Sequence, residues 1–280
     1  MVFVRAHPRI FRVHGFTAPA GALALALAIA FAGEPAPACG VVSGSAEVRA
    51  VDDQAQIRLV DGRLIRLGGL DIPGAARGGF DALAPARALL TAGWVGKTVS
   101  VAPLAPRPDR WGRWLADVSS PDGLAASSAL LGAGLARVRP EFETRDCEEG
   151  RLETEARARA AGLGLWNDPD SIRDASDLDA LRADDGLFAV IEGQVRRVGV
   201  GRSRVYLDFG RRGGFSVVAP LKAEPAFERR GVKLEALTGR RVRVRGVLED
   251  RFGLEIELAD PWMIEPLDSA EGAKDTKPGG

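Results

Sequence analysis

The sequence predicts an α+β fold, mainly β, arranged as two small units in tandem. Three observations predict it: runs of period-two alternation separated by turn dipeptides, helix-like stretches concentrated in the first part of the chain, and an acidic connector after them. With 280 residues, 46% apolar and 27% charged, the chain has material for a buried core and an ordinary globular composition. Intrinsic disorder and a membrane bundle are both excluded by those fractions. Lys+Arg and Asp+Glu each total 38, so no global charge attracts a polyanion, and any nucleic-acid contact has to be local.

Residues 1–38 read as a secretory signal. Arg5, Arg9 and Arg12 precede an apolar run from Ala20 to Phe31, followed by small residues and prolines. The run is shorter than the ~20 residues a spanning helix needs, so an uncleaved anchor is the second reading. Ala36-Pro37-Ala38-Cys39 resembles a lipoprotein cleavage region, but Pro37 and the missing leucine weigh against it. Export allows disulfides, so Cys39 and Cys147 are expected to pair and to contribute on the order of 3 to 5 kcal/mol by closing a long loop. Both histidines, His7 and His14, fall in the signal, so zinc and histidine-based catalysis are not expected of the mature chain.

The first unit is expected over residues 39–167. Residues 46–70 alternate, with Val48, Ala50, Ile57, Leu59, Leu64 and Arg66 around an Asp61-Gly62 turn, which predicts a β-hairpin. A helix follows over 81–92, then strands over 98–101 and 113–118 flanking Asp109-Arg110-Trp111-Gly112. Helices are expected over 125–131 and 145–161, the latter ended by Gly162 and Gly164. Residues 168–186, crowded with aspartates, read as a polar linker. Strands over 188–198, 204–209, 215–218, 240–248 and 254–264, with one helical insert near 223–230, predict a five-stranded Greek-key barrel of the OB type over 187–267. The tail, 268–280, is expected to be disordered.

The order of short motifs in the first unit resembles the thermonuclease, or staphylococcal nuclease-like, family. These are Asp61-Gly62-Arg63-Leu64-Ile65-Arg66-Leu67, Gly69-Leu70-Asp71-Ile72-Pro73, Asp109-Arg110-Trp111-Gly112-Arg113, Gly134-Leu135-Ala136 and Gly164-Leu165-Trp166. The resemblance implies a five-stranded OB barrel with three helices and calcium-dependent hydrolysis of a phosphodiester. Arg66 and Arg113 occupy the two arginine positions that clamp the phosphate and offset transition-state charge. Asp71 matches one calcium-ligand aspartate.

Two positions depart from the family. The second metal aspartate falls on Gln54, with Asp52 two residues earlier, and the general-base glutamate falls on Gly74. A general base is worth 10²- to 10⁴-fold, about 3 to 5 kcal/mol of barrier, so calcium-assisted hydrolysis is expected to be weak or lost. Asp53, Asp81 and Glu47 are the nearby carboxylates considered as substitutes. Pro140 stands at the family's stacking tyrosine, leaving Phe142 and Trp111 as aromatic contacts for nucleic acid.

In the second unit, Arg241, Arg243 and Arg245 alternate with valines, so one strand face is expected to carry three guanidiniums about 6 to 7 Å apart, near the spacing of phosphates. Tyr206 is the candidate stacking platform for a single strand. The alternatives for this arginine face are an envelope-protein contact or packing against the acidic end of the first unit. The sequence therefore supports an exported thermonuclease-family protein of weak or lost activity. The competing reading is a non-catalytic envelope binding or scaffold protein that reuses the fold.

Overall fold

The computed structural model describes residues 39–74, 79–211, 213–250 and 253–267. The expected signal peptide and disordered tail lie outside the described residues.

The first unit is a closed barrel. Its strands are β1 (Gly44–Val51), β2 (Ile57–Leu59), β3 (Leu64–Leu67), β5 (Thr98–Pro103) and β6 (Arg113–Ser119), with the short β4 (Leu70–Asp71) outside it and paired to β7 (Arg137–Val138). The order is β1-β2-β3-β6-β5, closed through β1 and β5, and only β3 and β6 run parallel. One strand closes the ring because β1 changes partner along its length: Gly44–Glu47 pairs with β5 and Val48–Val51 with β2, across a bulge between Val48 and Ala50. Ile57, Leu59, Ile65, Leu67, Val99 and Val118 point inward and are buried. Each such side chain contributes about 1.5–3 kcal/mol. Helix α1 (Leu83–Trp94) covers the barrel with Ala86, Leu90 and Trp94, which share one helical face; α2 (Ala126–Gly132) adds Leu130 and Leu131. Helix α3 (Glu148–Ala160) follows a 3-10 turn over Phe142–Cys147. Cys39 and Cys147 form the expected disulfide.

The second unit departs from the expected single barrel. Its strands are β8 (Arg173–Asp174), β9 (Phe188–Gln194), β10 (Arg197–Val200), β11 (Arg204–Asp208), β12 (Ser216–Pro220), β13 (Arg241–Val247), β14 (Glu249–Asp250), β15 (Leu254–Glu257) and β16 (Ile264–Pro266). They form a sheet β10-β11-β12-β15-β14 and a sheet β16-β13-β9-β8 around one apolar core that includes Phe209, Phe215, Val244 and Ile256. Two expected strands are interrupted, at Val195–Arg196 and at the 3-10 turn Pro261–Met263, so their halves serve different sheets.

The acidic stretch is a folded segment and not a free linker. Its β8 adds to β9 in parallel, and α4 (Leu178–Ala183) buries Leu181 in the second core beside Ala175. The aspartates build its turns. Asp168 accepts from Asp170 N–H, Asp174 from Ser176 N–H, and Asp177 caps α4 by accepting from Ala180 N–H. The helical insert is α5 (Glu224–Arg229), as expected.

Candidate functional site

Arg66 and Arg113 share the barrel's outer face. In β3, Ile65 and Leu67 point inward, which turns Arg66 outward. The parallel register sets Leu64 beside Arg113 and Arg66 beside Leu115, so the two arginines lie on one face, one pleat apart. Each already has a carboxylate. The Arg66 guanidinium donates to both oxygens of Glu141 at 3.0 and 3.4 Å, and Gly69 N–H donates to the same carboxylate at 3.1 Å. Arg113 donates through Nε to Asp109 at 2.8 Å, while the Trp111 and Arg113 N–H groups donate to the other Asp109 oxygen. Burial pushes the Asp109 carboxyl up, but the hydrogen bonds from Arg113 and Trp111 outweigh it and hold the group below the usual carboxylate range. Trp111 is 62% exposed and carries guanidiniums on its ring, Arg110 at 3.9 Å and Arg113 at 4.8 Å.

Asp71 is drawn elsewhere. The β4–β7 pair sets Asp71 opposite Arg137, whose Nε and Nη2 donate to one Asp71 oxygen at 2.9 and 2.5 Å. Arg137 Nη2 also donates to the Phe188 carbonyl at 2.9 Å, where β9 of the second unit begins. Asp71, Gly74, Phe80, Arg137 and Phe188 line a cleft of about 250 Å³ between the units, and neither Arg66 nor Arg113 lines it. The three side chains matched to the family are therefore divided between an outer face and an inter-unit cleft.

These donors do not fit a calcium ion. A hard cation needs several oxygens converging on one point. Asp71 is spent on Arg137, Gly74 supplies no side chain, and Gln54 is exposed in the turn after β1. Asp52 accepts from the N–H groups of Gln54 and Gln56, so it builds that turn. Asp81 accepts from Leu83 N–H at the start of α1. Among the described residues no group of three His, Cys, Asp or Glu side chains is placed to hold a metal. Breaking a largely buried pair such as Asp71–Arg137 to free the aspartate costs about 3 to 5 kcal/mol.

The expected arginine stripe on β13 is corrected by its surroundings. Arg245 is fully buried: its Nη1 donates to Glu155 of α3 at 2.9 Å and to the Val138 carbonyl at 3.1 Å, and it also pairs with Glu265. Burial pulls the Arg245 guanidinium down, but the charges of Glu155 and Glu265 outweigh it and hold the group above its ordinary value. Arg243 donates to Glu192 on β9 at 2.6 and 2.9 Å and lies 3.6 Å from Glu265. Arg241 is the most exposed of the three and lies 3.4 Å from Glu192. Arg245 thus reaches the acidic end of the first unit through Glu155, while Arg243 is held by Glu192 and Glu265 of its own unit, and neither is open to a polyanion. Tyr206 stands exposed on β11 with Gly199 opposite it, apart from these arginines. Phe142 is exposed beside Arg145, whose guanidinium lies 4.0 Å from the ring centre.

The residues that sequence reasoning missed are the partners: Glu141, Arg137, Glu155 and Glu265. They lie 75, 66, 90 and 20 residues from their counterparts, and the signals near them, Phe142 beside Glu141 and the Glu155-Ala156 pair that resembles the nuclease-like family's closing motif, do not point to these partnerships.

A family model described as a staphylococcal nuclease homologue matches residues 65–168. No curated protein matches the chain. The matched stretch contains Arg66, Asp71, Gly74 and Arg113, and residues 65–168 are therefore a staphylococcal-nuclease-like domain within a longer chain.

Proposed function

We propose, taking residues 65–168 as a nuclease-like domain, that this chain is an exported envelope protein in which the nuclease fold serves as a non-hydrolytic binding and scaffold unit. The observation that carries the reading is the commitment of Asp71 to Arg137, which in turn holds Phe188 of the second unit. A carboxylate matched to metal binding is thereby spent on joining the two units. Gly74 and Gln54 support the same reading, since neither supplies a base or an anionic ligand. The Cys39–Cys147 disulfide suits an oxidising compartment.

The test is cleavage of fluorescent single-stranded DNA in millimolar calcium or chelator, with Arg113→Ala and Gly74→Glu beside the wild type. No calcium-dependent cleavage is expected from any of them. Gly74→Glu is expected to fold, because among the described residues a Cβ there meets only the Leu83 side chain, at 3.1 Å, and to remain inactive while Asp71 stays paired. Calcium-dependent cleavage by the wild type that disappears in Arg113→Ala would overturn the proposal.

The shared outer face of Arg66 and Arg113 favours a second reading, capture of a phosphodiester backbone without turnover. Single-stranded DNA binding that weakens with salt and in Arg66→Ala would select it.

A further inference from the structure

We propose that the Glu141 carboxylate is an internal plug, seated on Arg66 where a phosphate group would otherwise sit, and that displacing it opens an anion site. Two neighbouring pieces of chain build that site: the outward Arg66 of β3 and the Gly68–Gly69 turn that follows the strand. The Arg66 guanidinium donates through Nη1 at 3.0 Å and Nη2 at 3.4 Å, and Gly69 N–H donates at 3.1 Å, so three donors converge on one carboxylate. The fork of a guanidinium matches the two charged oxygens of a phosphodiester as it matches those of a carboxylate. The third donor is aimed there by a backbone that favours glycine. Gly69 has φ +70°, and a Cβ on it would collide with Arg151 and Thr144.

Glu141 comes to these donors from outside the barrel, 75 residues after Arg66, at the entry to the 3-10 turn Phe142–Cys147. Its segment is fixed on both sides, by Arg139 N–H donating to Gly69 O at 2.9 Å and by the Cys39–Cys147 disulfide. The backbone of Glu141 adds two further bonds: its N–H donates to Thr144 Oγ1 at 3.2 Å, and its carbonyl accepts from Thr144 N–H at 3.1 Å. The carboxylate can therefore swing off Arg66 by side-chain rotation while the segment stays in place. Asp109, the carboxylate on Arg113, is the contrast. It also accepts from the Trp111 and Arg113 N–H groups, so it shapes its own turn and is not free to leave. The Arg66 and Glu141 side chains are 30% and 19% exposed, which leaves their pair within reach of an incoming anion. At that depth an ion pair is neither sealed from water nor negligible, so it can be exchanged for another anion at a cost in affinity.

The inference rests on the second reading above, capture of a phosphodiester backbone, and makes that capture self-inhibited. The test is the affinity of the purified protein for a fluorescent single-stranded DNA oligonucleotide at low salt, read by anisotropy. Glu141→Gln is expected to bind about tenfold more tightly than the wild type, and Glu141→Gln/Arg66→Ala to lose that gain. Glu143→Gln removes the same charge from an exposed side chain two residues away and is expected to bind as the wild type does. Glu141→Ala also keeps the backbone bonds to Thr144 but lacks the amide by which glutamine still holds Arg66, so its gain should be at least as large; melting temperatures check that each variant is folded. Equal, Arg66-dependent binding by the wild type and both Glu141 variants would overturn the plug and leave the capture reading standing. A gain shared by Glu143→Gln would reduce the effect to net charge and overturn the plug as well. Absence of binding by every protein would overturn both.

Discussion

Glu148 is the most perturbed carboxylate. Its side chain is buried at the start of α3, accepting from Thr144 Oγ1, with Arg151 at 4.0 Å and the Asp260 carboxylate of the second unit facing it. Burial pushes its carboxyl up to about 7; Thr144, Arg151 and Arg245 oppose this, and Asp260 adds to it. A carboxyl raised in the folded state, from 4.5 when unfolded, contributes stability that is complete below pH 4.5 and lost as pH rises through 7. This group alone should remove on the order of 3 kcal/mol across that window. Glu148→Gln is expected to flatten the decline between those pH values, as read from denaturant unfolding at a series of pH values. A decline of the same slope in the variant would assign the effect to another group.

At the scale of elements, the acidic segment is the informative case. Its sequence was legible as polar but not as folded, because seven aspartates outweigh the few apolar residues that hold it down. Leu178 and Leu181 sit at the i, i+3 spacing of one helical face, and Asp177 supplies the cap. Those local signals were present and were hidden by composition. Leu181→Ala is expected to cost about 2 to 5 kcal/mol, with limited proteolysis cutting within 168–186 in the variant but not in the wild type. The barrel strands and α1 to α3 were legible for the opposite reason: alternation, turn dipeptides and helix stops agreed with one another there. The second unit was read as one barrel because alternation marks strands but does not say where a strand breaks and changes sheet.

For the whole molecule, the pairing of Arg245 with Glu155 and Glu265 decides how the units behave together. Alternation on β13 correctly gave a strand face of arginines, but periodicity cannot say whether water or another unit covers that face. The answer lay 90 residues away, at Glu155. Arg245→Ala takes from Glu155 and Glu265 the buried cation they share, leaving them Arg159 and Arg243, and should cost about 3 to 5 kcal/mol, with calorimetry resolving two transitions where the wild type shows one. Arg245→Met, which removes charge but keeps bulk, takes the same shared cation from Glu155 and Glu265 and should separate the transitions as well; a single unshifted transition in both variants would show that the other contacts between the units, Arg137 with the Phe188 carbonyl among them, are enough to couple them. The disulfide gives the first unit a different kind of unity. Every barrel strand lies between Cys39 and Cys147, so the barrel is covalently a ring, and a single broken peptide bond anywhere in that span opens the ring without detaching any strand.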